Sequence, residues 1–231
     1  MSIIDEAMAS VDAEFIRLDA PSWPDPHEGR RVMEEEYGRV TDPGRFRALR
    51  LRLEAWRRCL AEAWGVDVAE PGDAPSAGDL APEEKLSTAT TSLWTSAREG
   101  TLPLRTTVLE DGGITCVALG IADDPVDFGL LPGCACDACD TGSDALLAEL
   151  DALLVATVTG SLVVVIGPVS RDDSDRPVPR FLIVATEEDW SLQGDGPAEP
   201  AEIVDAVRSG DDPHLPVGSI VHCGRSWLSR A

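Results

Sequence analysis

Positive charge is scarce in this chain: 19 lysines and arginines stand against 42 aspartates and glutamates, a net charge of −23 at neutral pH. A surface of that sign repels nucleic-acid phosphates and anionic lipid, so no nucleic acid and no membrane is expected as a partner. It favours solubility first and a basic protein partner second. Lysine is almost missing, Lys85 being the sole one, and the other bases are arginines. Long apolar runs are missing too. The longest, Leu153 to Val169, is broken by Thr157, Thr159, Gly160, Ser161 and Gly167, too soon to cross a bilayer. The first residues, Met1 to Met8, have no basic stretch leading into an apolar one, which argues against a signal peptide and for the cytoplasm. There is no internal repeat, Gly-x-Ser-x-Gly elbow, phosphate-binding loop, dinucleotide-binding glycine fingerprint or His-Glu-x-x-His pair. The carboxylates are too scattered to nominate an acid/base pair, so the reading leans away from an enzyme.

What the chain does have is a thiol cluster. Three of its six cysteines fall within Cys134-x-Cys136-x-x-Cys139. In a cytosolic protein, clustered cysteines point to metal or redox chemistry before disulfides. Three sulfurs this close can ligate one zinc ion, which prefers four thiolate or imidazole ligands in a tetrahedron. The fourth ligand is expected from Cys223 or the adjacent His222, with Asp137 and Asp140 as weaker donors. A helix start just after the loop favours thiolates through its partial positive charge. Two other readings stay open: a redox dithiol formed by Cys136 and Cys139, and an ordered loop of reduced, packed cysteines. Cys59 and Cys116 read as small core residues. Asp172, Asp173 and Asp175 lack a calcium-loop pattern and read as a solvated turn.

The apolar spacing gives the framework. Ile4, Met8, Val11 and Phe15 predict a first helix, and Pro21 to Pro26 ends it. A second helix is expected over roughly 28–37, with Val32, Met33 and Tyr37 inward. Asp42-Pro43 opens a third, Pro43 to Trp64, along the seam Phe46, Leu49, Leu53, Trp56 and Leu60. Six arginines flank that seam and read as a face paired with acids. Up to Asp67 there are 10 arginines and 14 acids, against 9 bases and 28 acids afterwards, so most of the negative charge sits behind the helices and the helix arginines have acids there to pair with. Val68 to Glu84 reads as a linker or exposed loop. A strand, or alternatively a short helix, is then expected at Ser87–Ser96, and strands at Leu104–Leu109 and Ile114–Ile121, joined by a turn over Glu110 to Gly113. A long helix, Ser143–Thr159, follows the cysteine loop, with Thr141 and Asp144 as a capping box. Strands at Leu162–Ile166 and Arg180–Ala185, a loop over Glu187–Gly196, a short helix Pro200–Ser209 and a last strand at Val217–Val221 complete the reading.

The expected fold class is therefore α+β, with N-terminal helices packed on a mostly antiparallel sheet and one long helix after a Cys-rich loop. The expected divisions are a helical N-terminal region over residues 1–67, a linker or loop over residues 68–84, and an α+β region over residues 85–231, the whole forming one domain or two.

Glu34 to Phe46, Thr101 to Leu104 and Gly133 to Asp144 resemble an uncharacterised actinobacterial family of unknown function with a Cys-x-Cys-Asp-x-Cys-Asp loop before a leucine-rich helix. The resemblance implies a cytosolic protein of a high-GC bacterium and carries over Cys134, Cys136 and Cys139 as its notable positions. It implies no activity. The leading expectation is a non-catalytic binding or adaptor protein whose loop holds a structural zinc. A thiol oxidoreductase using Cys136 and Cys139, and an acidic inhibitor or immunity-type protein for a basic partner, are the alternatives.

Overall fold

Two amphipathic helices start the computed structural model, which describes residues 2–69, 88–173 and 175–228. Helix α1 is Ile3–Arg17. Ser2 caps it: its hydroxyl accepts the Asp5 N–H while the Asp5 carboxylate accepts the Ser2 N–H. Helix α2 is Arg47–Trp64, led in by a 3₁₀ turn, Pro43–Phe46, and closed by Gly65 at φ 63°. Leu49, Leu53, Trp56 and Leu60 are buried along it, as the seam predicts.

The helix expected over 28–37 does not form. Only Glu34–Glu36 makes a single 3₁₀ turn, and Val32, Met33 and Tyr37 are exposed. Gly29 and Gly38 both sit at positive φ, which breaks the helical path at either end. The Glu36 carboxylate bonds back to the Met33 N–H (2.6 Å) and to the Arg30 guanidinium (2.6 and 2.9 Å). Side-chain contacts thus satisfy a backbone that a helix would have satisfied itself.

Five strands follow in an antiparallel sheet whose spatial order is their chain order: β1 (Asp67–Ala69), β2 (Thr88–Thr95), β3 (Leu104–Asp111), β4 (Ile114–Ile121) and β5 (Asp127–Leu131). Gly112 and Gly113, both at positive φ, turn β3 into β4, as the sequence predicts. The expected loop from Val68 starts instead as strand β1, and residues 70–84 of it lie outside the described residues.

Helix α3, Gly142–Thr159, ends at Gly160 (φ 79°). The expected Thr141–Asp144 capping box is absent, since Thr141 makes no side-chain cap. Asp140 takes the role instead, its Oδ1 accepting the Gly142 N–H at 2.9 Å.

A second antiparallel sheet has the order β10-β9-β6-β11, from β6 (Val163–Ile166), β9 (Phe181–Ala185), β10 (Trp190–Gly194) and β11 (Ile220–Cys223). A small hairpin, β7 (Val169–Arg171) with β8 (Pro177–Pro179), projects from it. Strand β10 corrects the loop expected over Glu187–Gly196. Its residues are mostly exposed and polar, so they carry no apolar alternation, yet Trp190 to Gly194 pair in register with Ala185 to Phe181. Strand β11 begins three residues later than expected, after the turn in which the Ser219 N–H meets the Pro216 carbonyl. Helix α4 is Pro200–Ser209, ended by Gly210.

The fold is α+β and every strand pair is antiparallel. The larger core draws Val11 from α1, Trp56 from α2, Leu104 and Leu119 from the first sheet, Leu150 and Leu154 from α3, Val164 and Leu182 from the second, and Trp227. A smaller core of Val163, Val165, Phe181 and Ile183 is covered by Ile203 and Val204 of α4. Strands β6 and β9 are therefore buried on both faces, which is why their sequences are continuous apolar runs. None of the described helices is long and apolar enough to cross a membrane.

Arg50, Arg52, Arg57 and Arg58 of α2 pair with acids. Arg52, only 5% exposed, grips Asp151 of α3 through Nε (2.9 Å) and Nη2 (2.6 Å) and also reaches Asp12 of α1 (2.7 Å). The Trp56 indole N–H donates to the same Asp151 at 2.7 Å. Arg50 meets Glu110 of the sheet, whereas Arg58 stays with Glu14 and Glu54 of the helices.

Candidate metal centre

The cysteine loop joins β5 to α3 and is folded by a 3₁₀ turn at Asp137–Cys139. Cys136 precedes that turn, and its carbonyl accepts the Cys139 N–H at 3.0 Å, which draws the two side chains together. The sulfurs of Cys134, Cys136 and Cys139 all lie within 4.8 Å of one another, and those of Cys134 and Cys136 are 3.3 Å apart. Cys134 and Cys139 are exposed, whereas Cys136 is buried.

The electrostatics of the three differ. The Gly38 backbone N–H donates to the Cys136 sulfur, and with help from the Cys134 thiol it brings the Cys136 pKa down to about 7. Cys139 moves the other way, to about 11, because its thiol proton is held by the neighbouring sulfurs of Cys136 and Cys134. At neutral pH the Cys136 sulfur is therefore ready to be a thiolate, whereas Cys139 gives up its proton only to something that binds it.

The loop is braced from beneath by a strap of N-terminal chain, residues 19–46. The Asp137 carboxylate accepts from the Thr41 N–H (2.9 Å), the Thr41 hydroxyl (2.5 Å) and Arg39 Nε (2.7 Å), and these donors hold its pKa well below the usual carboxylate range. The Asp137 N–H in turn donates to the Arg39 carbonyl at 2.7 Å. Asp140 accepts from the Trp23 indole (2.9 Å) and faces Arg45 at 3.2 Å. Arg45 is stacked against Phe46, 4.9 Å from the ring centroid. Ser143 completes the brace, its N–H donating to the Trp23 carbonyl at 3.0 Å.

The structure thus brings together Cys134, Cys136 and Cys139, and it does not place Cys223 or His222 in that group. His222 sits on β11 with Nε2 3.1 Å from Asp124 Oδ2, and Cys223 is exposed on the same strand, opposite Val163. Asp137 and Asp140 are braces whose carboxylates already hold several donors. The bracing residues Trp23, Gly38, Arg39, Thr41 and Arg45 were not legible in the sequence. They meet the loop across about a hundred residues, and the only local trace is the pair of aspartates alternating with the cysteines.

Chemically, the cluster is a soft, three-sulfur donor set. Zinc–sulfur bonds of about 2.3 Å place tetrahedral sulfurs roughly 3.8 Å apart. A separation of 3.3 Å for Cys134 and Cys136 needs only a small opening to reach that. Cys134, Cys136 and Cys139 could hold a thiolate-binding metal ion, each offering one sulfur.

A model for a family of unknown function, DUF6226, matches residues 11–231, and the chain belongs to that family. No curated protein and no solved structure matches it.

Proposed function

We propose that this chain is a non-catalytic binding protein of the cytoplasm, folded as one unit across its helical and α+β regions, in which Cys134, Cys136 and Cys139 hold a structural zinc ion. The observation that carries the reading is the convergence of the three sulfurs within 4.8 Å at the start of α3. When bound, the ion would cross-link three positions within the loop that joins β5 to α3. The chain's own residues prepare for it. The Gly38 N–H steadies the Cys136 thiolate, and the Asp137 and Asp140 braces hold the loop in the shape that groups the sulfurs. With both aspartates engaged and His222 paired to Asp124, the fourth position falls to solvent or to a donor from a partner.

The test is metal content by elemental mass spectrometry on protein purified without a histidine tag, for wild type and Cys136→Ser. About one zinc per chain, lost in the variant together with melting temperature, supports the reading. Metal-free wild type with an unchanged melting temperature in chelator overturns it.

A second reading is favoured by the geometry of Cys136 and Cys139, whose sulfurs lie within 4.8 Å across one 3₁₀ turn, with the Cys136 thiol pKa drawn down to about 7 by the Gly38 N–H and that of Cys139 pushed up to about 11. A low-pKa attacking thiol beside a high-pKa resolving thiol suits a disulfide reductase. The Cys136 thiolate attacks a substrate disulfide and releases one thiolate. Cys139, losing its proton to that thiolate, then displaces the second and leaves a Cys136–Cys139 disulfide for an external dithiol to reduce. Turnover of a disulfide substrate with dithiothreitol, abolished in Cys136→Ser, distinguishes this reading from the structural one.

A further inference from the structure

Two sheets in this molecule end side by side. Among the described residues, strand β5 is the last strand of the first sheet, laddered only to β4, and β10 is the last of the second, laddered only to β9. Both line one groove of about 270 Å³ that is floored by Ala152 and Leu153 of α3. Its walls are mixed, apolar at Leu130, Leu153 and Trp190 and polar at Thr186, Ser191 and Gln193. Leu130 of β5 is 51% exposed and Trp190 of β10 is 44% exposed. Gly129 keeps the groove tight, because a Cβ there would stand 2.8 Å from Leu153 Cδ1.

The charge of the groove is one-sided. Its two ionisable lining residues are Glu149 and Asp189. Glu187 and Glu188 stand in the adjoining turn and, like those two, are exposed. Elsewhere arginines are matched to acids, as at Arg52–Asp151 and Arg39–Asp137, but among the described residues none of these four carboxylates has an ion-pair partner. Arg208 donates to the Thr186 carbonyl.

We propose that this groove binds an extended, arginine- or lysine-bearing segment of another protein, which adds as a further strand to the free edge of β5. An unpaired edge offers main-chain donors and acceptors to any extended chain, and alternate side chains then supply selectivity. Here the guest's apolar side chains have Leu130, Leu153 and Trp190 to pack against, and its basic residues meet Glu149 and Asp189. The inference deepens the binding-protein reading by giving it a partner class and does not depend on the metal.

The probe is a fluorescein-labelled, terminally blocked peptide of alternating arginine and valine, followed by anisotropy at about 0.15 M salt. Its control is a peptide of equal charge alternating arginine and proline, which lacks half the donors and cannot ladder. The alternating peptide is expected to bind the wild type about ten-fold more tightly than the proline control. Leu130→Lys, an exposed change that leaves the core intact, is expected to remove that advantage. Equal binding of both peptides means general attraction to an acidic protein and overturns the proposal, as does an unchanged preference in Leu130→Lys. Cys136→Ser separates the two readings: an intact preference in a metal-free variant leaves the groove standing even if the zinc reading fails.

Discussion

The α1–α2–α3 helices and the cysteine loop with its strap solve the same problem, joining distant parts of the chain, by different means. The helices do it with apolar area. Trp56, Leu49, Leu60, Leu150 and Leu154 are fully buried, and one charged knot, Arg52 with Asp151 and Asp12, sits at their junction. The strap and loop do it almost entirely with polar contacts, in which Asp137, Asp140 and Ser143 meet Trp23, Arg39, Thr41 and Arg45. Apolar packing tolerates small shifts and announces itself in sequence periodicity. A polar brace fixes direction and announces almost nothing.

Breaking the helical knot gives the largest effect. In Asp151→Ala, Arg52 becomes a buried cation with its main partner gone and the Trp56 indole N–H loses its acceptor, so a loss of about 3–5 kcal/mol is expected in urea unfolding. Replacing both partners by Arg52→Met with Asp151→Leu restores most of it, because the pair's value lies in not leaving one charge alone. A double variant as unstable as the single one would count against that account.

The strap gives an intermediate effect. Asp137→Ala leaves the Thr41 N–H and hydroxyl without their acceptor, at a cost of about 1–3 kcal/mol. Its larger signature is local: amide exchange speeds up at residues 37–42 and 134–140 while α2 and α3 stay protected. Uniform loss of protection would show that strap and helices unfold as one.

The smallest effect is a pH response confined to the strap. Glu36 has its pKa lowered to about 2, first by the Arg30 guanidinium and then by the Met33 N–H. The contribution of a depressed carboxylate is fully present above its ordinary value near 4.5 and is lost as pH falls through about 2. Glu36→Gln should therefore flatten that stretch of the acid-unfolding curve and leave the curve above about pH 5 parallel to wild type.

Much of the fold was legible because it rests on periodicity. The α2 seam, the Gly112-Gly113 hairpin, the runs that became β6 and β9, and the stops at Gly160 and Gly210 are local signals with local causes. The misses share one cause, a backbone satisfied by something other than its neighbours in a pattern. Residues 28–37 contain helix-compatible apolar spacing, but Glu36 and two glycines take the chain elsewhere. Strand β10 is set by pairing with β9 rather than by its own residues. The sulfur cluster could be read from spacing alone. Its separation from Cys223 and His222 could not, because that depends on where β11 docks.

The strap also sets an order of events during synthesis. Thr41 leaves the ribosome 96 residues before the aspartate it will hold, and Trp23 precedes Asp140 by 117. At roughly 5–20 residues per second, the strap waits on the order of 5–20 s for its loop to arrive. Through that interval the Trp23 indole, the Arg39 guanidinium and the Thr41 N–H have no carboxylate to donate to, and water alone satisfies them until the cysteines emerge.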